Sequence, residues 1–296
     1  MSSPTVIGFL GFTGLVGSSI LPHLLEFNEQ GKIKLIILHR EGSDLSKIPE
    51  GIDKRLIDLS ENGKDLNKKA VEGLEVVLST VSGEALKAQT YLVDALEGSP
   101  TLKSFVHSDF GTNWTPKELE APGLTIIGVK EEVVKHAEEK GVPLTHVRVG
   151  AFDVYVFKFR AAGTDLQTNV VQEFRNSLKN PLRITSIPFL GYATAQLLLF
   201  PDSLAGQTYQ VYDYQPTGQE LIDVLTKLNG SKPQITQFTE KEYQEGIKVP
   251  GVGAILSAIK AKWGDDNWGP ERNLPEFKDW QTKSLEEFVG DWKAKL

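Results

Sequence analysis

The chain contains no cysteine. Disulfides, thiolate metal sites and a cysteine nucleophile are therefore excluded. It also lacks any block of basic residues. Thirty-two Lys and Arg face 39 Asp and Glu, the net charge is −7, and the two signs are mixed along the chain. Neutralising a nucleic-acid backbone requires clustered positive charge, so no nucleic-acid partner is expected. Long hydrophobic runs are missing as well. The longest uncharged stretch, 184–201, is interrupted by Pro188, Gly191, Thr194 and Gln196; it predicts a buried strand, turn and helix, not a membrane span. The opening MSSPTVIGF has no basic segment ahead of a long apolar one, so no signal peptide is expected and the cytoplasm is the default location. The five histidines (His23, His39, His107, His136 and His146) follow no metal-ligand spacing, and no metal is expected.

What is present is ordinary for a globular chain: 296 residues, 40% apolar and 24% charged. That length buries a large core in one domain or two joined lobes. Apolar runs at 6–10, 34–38, 55–59, 76–80, 104–107, 124–127 and 145–149 predict strands, with helical patterns at 15–27, 63–71, 84–98 and 130–140. Buried apolar strands separated by helices imply βαβ units. The expected fold class is α/β, a Rossmann-type doubly wound parallel sheet with a smaller interleaved C-terminal α/β lobe. Residues 1–152 would form the nucleotide-binding domain and 153–296 the substrate lobe. In the second part, shorter strand patterns at 182–187, 207–212 and 234–238 mix with helices that open on capping boxes: Thr217 with Glu220, Thr239 with Glu242, Ser284 with Glu287. The stretch 264–275, rich in Gly, Asn, Asp, Trp and Pro, predicts a surface loop. Pro22 falls inside the first helix and should kink it.

The most informative segment is TVIGFLGFTGLVG, where an apolar run breaks into Gly11, Gly14 and Gly17 and leads into a helix. A strand, a glycine turn and a helix N-terminus together form a cradle for a dinucleotide pyrophosphate: Gly11 permits the tight turn, Gly14 lets the backbone approach the phosphates, and Gly17 lets helix and strand pack closely. Twenty-three residues past Gly17, the second strand ends in LHRE. An acidic residue at that strand end would accept from a ribose hydroxyl, whereas Arg40 can fork onto a 2′-phosphate. Thr80, Val81 and Ser82 close the fourth strand at the sheet edge where ligands bind in open α/β folds. Asp58, ending the third, can approach an adenine or cap a loop.

FVHSDFG ends the fifth strand, and Lys130 opens the next helical pattern. Val133, Val134, Ala137 and Gly141 lie three, four, seven and eleven residues beyond Lys130, on its face of the helix. A lysine on an apolar face is partly desolvated, which favours proton exchange near neutrality; it can equally snorkel past a core. A Tyr-x-x-x-Lys dyad is absent, since Ile126 stands four residues before Lys130, and Tyr155 with Lys158 is one residue short of that spacing.

Taken together these motifs resemble the NmrA-like and isoflavone-reductase-like branch of the atypical short-chain dehydrogenases/reductases. GFTGLVG matches that family's G-x-T-G-x-x-G loop, LHRE its arginine-bearing strand end, and HSDFG resembles its P-S-E-F-G segment. Lys130 falls where the family's catalytic lysine lies, and THVRVGAF resembles the strand beneath the nicotinamide. The resemblance covers roughly residues 5–152. It implies NADPH as cofactor, with Gly11, Thr13, Gly14, Leu15, Val16 and Gly17 on the pyrophosphate and Arg40 on the 2′-phosphate. Thr80, Val81, Phe110, Lys130, Val149, Gly150 and Phe152 would line the nicotinamide side. His107 replaces the family's proline and Asp109 its glutamate, which leaves the substrate more open than the cofactor.

The resulting expectation is an NADPH-dependent reductase of a small, largely apolar carbonyl, enone or aromatic, phenylpropanoid-like compound. Lys130 is its general acid/base, and Phe110, Trp114, Phe152 and Tyr155 are candidate pocket walls. The partner is a small molecule, with no membrane or nucleic acid, in a monomer or homodimer. The alternative is a non-catalytic NADP(H)-binding redox sensor of the NmrA type. An epimerase or isomerase fits less well without the tyrosine.

Overall fold

The apolar run that opens the chain forms strand β1 (Thr5–Leu10), and its Gly-rich exit leads directly into α1 (Leu15–Glu29). The computed structural model describes residues 3–296, the Ile126 side chain excepted. Next come β2 (Ile33–His39), β3 (Asp53–Leu56), α2 (Lys64–Ala70), β4 (Val76–Ser79), α3 (Ala85–Leu96), β5 (Ser104–Val106), α4 (Pro116–Leu119), α5 (Thr125–Glu139) and β6 (Leu144–Val149). The remainder comprises β7 (Ala151–Phe152), α6 (Asp153–Phe157), β8 (Thr164–Asp165), β9 (Val170–Glu173), β10 (Ile184–Thr185), α7 (Ile187–Leu197), β11 (Thr208–Val211), α8 (Gly218–Asn229), β12 (Gln234–Gln237), α9 (Glu240–Gly246), α10 (Val252–Asp265) and α11 (Leu285–Lys295).

Seven strands make the main sheet in the order β11-β6-β5-β4-β1-β2-β3. The ladders joining β3, β2, β1, β4, β5 and β6 are all parallel, with Thr5 opposite Ile33 and Ile7 opposite Val76. Strand order reverses between β1 and β4, the switch point at which doubly wound sheets bind ligands beyond the strand carboxyl ends. The fold is thus the Rossmann-type α/β sheet. No helix among the described residues is long and apolar enough to cross a membrane.

The chain divides into two compact units. The first takes residues 1–110, 129–147 and 190–209, the second 111–128, 148–189 and 210–296. The first unit's core buries Leu10, Ile36, Leu38, Leu74, Val77, Leu92 and Phe105 of the sheet and its flanks against Val133 and Ala137 of α5. Those last two follow Lys130 at helical spacing, so the apolar face of α5 is the buried one. The second unit has its own core around Leu182, Ile184, Leu221, Leu225, Trp263, Trp268 and Phe288. It also holds a small three-stranded sheet, β12-β9-β8, and the β10-β7 pair.

Three local expectations need correction. Residues 124–127 are not a strand: a 3-10 turn over Pro122–Leu124 runs into α5. A four-residue apolar run is ambiguous between strand and helix, and Pro122 presets the φ of a first helical turn. Lys130 consequently lies in the second turn of α5 and does not open it. The 264–275 stretch is also more than a surface loop. Trp268 is buried, and its indole N–H donates to the Pro181 carbonyl at 3.0 Å, anchoring the segment to the second unit's core. The three expected capping boxes all form, and a fourth, Thr115 with Glu118, starts α4.

Candidate functional site

At the carboxyl end of β1, Gly11 turns the chain with φ +87°, in the left-handed region that favours glycine. A Cβ there would lie 2.7 Å from the Thr80 carbonyl carbon and 2.8 Å from the Val81 nitrogen. The ends of β1 and β4 therefore approach as closely as backbone allows. Thr80 reinforces the junction, its N–H and its hydroxyl both donating to the Leu10 carbonyl, at 2.9 and 3.1 Å. Gly17 plays a different part. A Cβ on it would fall 2.2 Å from the Gly11 carbonyl oxygen, so its bare Cα lets α1 pack onto the loop.

Helix α1 begins after Gly14, which has an extended backbone and supplies no side-chain cap. Leu15 and Val16 occupy the first turn, Leu15 being 51% exposed. The first N–H groups of a helix have no acceptor within it, and together with the helix dipole they favour an anion. The cleft in front of this turn is lined by Gly11, Thr13, Gly14, Arg40, Thr80 and Val81, with His39, Ser43 and Ser82 beside them. Arg40 is exposed, and its N–H donates to the Ser43 hydroxyl at 3.1 Å, which orders the chain just past β2. Glu41 does not line the cleft. The local charge past β2 is thus the guanidinium, not a carboxylate.

The second cluster lies at the end of β5. Phe110 is buried at φ +41°. Asp109 just before it is buried, and the Lys130 ammonium donates to the Asp109 carbonyl and lies 3.5 Å from its carboxylate Oδ1. The Lys130 side chain is 18% exposed, so it can reach a ligand while its charge is met from below. Ser108 is pinned from two sides: its N–H donates to Gln89 and its hydroxyl to the Val81 carbonyl, at 2.8 and 2.6 Å. These bonds tie the lysine's anchor to the strand end that carries Val81.

The glycines, Arg40, Thr80, Val81, Phe110 and Lys130 all belong to the first compact unit. Val149, Gly150 and Phe152 belong to the second, each in its own packing. Val149 is buried at the end of β6, and its N–H donates to the Gly111 carbonyl at 3.0 Å. Gly150 is pressed onto the Arg183 carbonyl, 2.2 Å from where its Cβ would be, and donates to Thr185 Oγ1 at 2.9 Å. Phe152 packs 6.1 Å from the Tyr155 ring. Trp114, expected as a pocket wall, instead lies against the second unit's small cluster of Leu124, Ile247 and Ala258, with the Lys262 ammonium 4.8 Å from its ring. The side chains of Lys262 and Glu118 meet at 2.8 Å beside a cleft of about 510 Å³ in that unit. Asp58 is held as a turn: its N–H and carbonyl both bond the Asn67 side chain, at 2.8 and 2.6 Å.

Sequence spacing had no means of finding one grouping. His107, Asp109 and His146 bring three donor atoms within 4.8 Å of one another. The only signal available in the sequence was the pair of departures in HSDFG.

The sequence profile of the NmrA-like family matches residues 4–286. A phenylcoumaran benzylic ether reductase of Pyrus communis is 27% identical over 164 residues, 52% of this chain and 51% of that protein. The chain spans about half the length of the curated relatives it matches. Among solved structures, AtPrR2 with NADP+ and (+)-pinoresinol superposes with a TM-score of 0.78 at 19% identity, covering 99% of this chain and 100% of the other. Leucoanthocyanidin reductase from Vitis vinifera with NADPH superposes with a TM-score of 0.75 at 18% identity, covering 98% and 99%. At those identities the likeness is one of fold.

Proposed function

The chain belongs to the NmrA-like family, and from that premise we propose that it is an NADPH-dependent reductase of a small, largely apolar carbonyl, enone or aromatic compound. The relatives support the class: a phenylcoumaran benzylic ether reductase in sequence, and structures solved with NADPH or with NADP+ and pinoresinol. The single observation that carries the reading is Lys130, a partly exposed ammonium held on Asp109, in the same unit as a glycine cradle and an arginine past β2.

The residues present fit NADPH. A pyrophosphate needs bare backbone, which Gly11 and Gly14 offer, and free N–H groups, which the first turn of α1 offers; the Gly14 N–H itself donates to the Gly11 carbonyl at 3.1 Å. A 2′-phosphate needs a planar cation, which Arg40 offers without a lining carboxylate. When bound, the nicotinamide supplies the hydride. Within the first unit Thr80, Val81 and Phe110 would border it, and Lys130 would pass a proton to or from the oxygen or carbon that develops charge.

Titration of nicotinamide fluorescence with NADPH and NADH tests the cradle. Arg40→Ala should weaken NADPH by about ten- to a hundredfold, the roughly 1.5–3 kcal/mol of a charge-assisted bidentate contact, and leave NADH nearly unchanged. Equal losses would make Arg40 structural. Lys130→Ala should lower turnover by about 10²–10⁴-fold with NADPH binding intact; unchanged turnover would remove its role. If a panel of quinones, enones and aromatic aldehydes leaves NADPH unoxidised while binding is tight and redox-selective, the redox-sensor reading replaces this one.

A further inference from the structure

Two ionisable side chains beside the Asp109 anchor of Lys130, His107 and His146, have no part in the chemistry above. Asp109, after β5, has a side chain only 1% exposed. Its Oδ1 lies 3.5 Å from the Lys130 ammonium on α5. Its other oxygen, Oδ2, lies 3.9 Å from Nδ1 of His146 on β6. That same Nδ1 is 3.0 Å from Nε2 of His107, which is fully buried just past β5. The two rings meet edge to face, 4.9 Å apart at 87°.

Two imidazole nitrogens at this distance form one N–H···N bond, one ring donating and the other accepting. With one proton shared in that bond and one on an outer ring nitrogen the pair is neutral. One further proton makes the pair cationic, and His146 Nδ1 lies beside Asp109 Oδ2, while the lysine ammonium already sits beside Oδ1. Arg148, two residues along β6, reaches the Thr112 carbonyl at 3.5 Å, and Glu131, next to Lys130 on α5, is exposed. From the α3 side the anchor meets a neutral amide, Gln89. Three donors within 4.8 Å also have the composition of a metal site. Here, however, the carboxylate's charge is already met by an ammonium.

We propose that Asp109 is the positioning residue for Lys130, and that the His107–His146 pair, by taking up an additional proton and competing for the same carboxylate, sets the acid limit of the reaction. The kinetic consequence rests on the reductase reading; the titration consequence does not. An opposite charge this close favours the ammonium form, so Asp109 keeps Lys130 charged and in place. When the pH falls far enough to protonate the pair, the added cation weakens that hold. The result is loss of activity on the acid side without loss of cofactor binding.

The test is carried out on the full chain saturated with NADP+, labelled with ¹³C in lysine and histidine. Lys130 and the imidazoles are followed by NMR across pH, with Lys130→Met assigning the lysine signal. In Asp109→Asn the Lys130 ammonium should lose its proton about tenfold more readily, or more, while NADP+ affinity stays within about twofold. In His146→Gln the lysine should keep its alkaline midpoint but lose its acid-side inflection, and the acid limb of turnover should flatten. Asp109→Glu, which keeps the carboxylate, should retain the wild-type lysine midpoint; it carries the test if Asp109→Asn does not fold. An unchanged lysine midpoint in Asp109→Asn, or an inflection that persists in His146→Gln, overturns the proposal. So does stoichiometric Zn²⁺ binding that His146→Gln abolishes, which would make the cluster a metal site. Failure of the reductase reading looks different: no turnover on any substrate, with the NMR titrations as expected.

Discussion

Replacing Gly17 by alanine is the sharpest probe of the cofactor cradle. The added methyl would lie 2.2 Å from the Gly11 carbonyl oxygen and 2.7 Å from both Phe12 Cα and Thr80 Oγ1. A carbon seldom approaches a carbonyl oxygen closer than about 3.3 Å, so α1 and the glycine loop must separate by roughly 1 Å. Two of the three obstacles are backbone, and no side-chain rotation relieves them. Overpacking of this kind costs about 1–3 kcal/mol, offset by up to about 1 kcal/mol of helix propensity gained over glycine. The net loss of about 1–2 kcal/mol lowers Tm by roughly 2–8 °C. The same displacement shifts the N–H groups of the first turn of α1, and NADPH affinity should fall at least tenfold. Gly128→Ala is the control: it also lies within a helix, α5, and a Cβ there meets nothing within 4 Å, so it should stabilise by about 0.5–1 kcal/mol. Thermal unfolding by circular dichroism and fluorescence titration with NADPH read both effects. If Gly17→Ala unfolds at or above the wild-type temperature and binds NADPH equally well, the close-approach reasoning is refuted.

Two further perturbations test the second unit. Burial raises the Asp213 carboxyl to about 6, despite hydrogen bonds from the Ser186 hydroxyl and N–H that favour its charged form, and the nearby Asp153 adds to the rise. A raised carboxyl binds its proton more tightly in the folded chain than in the unfolded one. Stability is therefore fully present below about pH 4, declines between about 4 and 6, and levels off above that, by roughly 3 kcal/mol from this group. Asp213→Asn should abolish that decline and be the more stable protein at neutral pH; parallel urea-denaturation curves for the two proteins across this range would exclude the effect. Lys262, its side chain 0% exposed, pairs with Glu118 at 2.8 Å and donates to the Asn267 carbonyl at 3.0 Å. Burial pushes its ammonium down and Glu118 pushes it back up. Lys262→Ala should cost about 2–4 kcal/mol, a cavity plus a stranded carboxylate, and Lys262→Met clearly less; equal costs in urea denaturation would show that the charge pair rather than the lost volume sets the penalty.

Much of the fold was legible because its causes are local. Of the seven strands that the alternation of apolar runs with helical patterns predicts in the first half of the chain, six form, and each capping box rests on residues three apart. The run at 124–127 misled because four apolar residues carry no usable period, and the Pro122 turn decided the matter. Trp268 misled for the opposite reason: its neighbours have loop composition, yet its anchor is the Pro181 carbonyl, 87 residues away.

The sequence by itself determined the glycine cradle that we propose holds the cofactor. A glycine spacing, a strand end and a helix start within forty residues are enough to specify a phosphate cradle, because each glycine answers a steric demand made by its immediate surroundings. Tertiary structure alone decided what holds Lys130. Asp109 is 21 residues from Lys130, and His107 is 39 from His146. They meet because β5 and β6 lie side by side in parallel register while α5 crosses between them. Hydrogen bonds and ion pairs act over a few ångströms, so which charges face one another is set by strand order and register, and no local pattern in the chain encodes it.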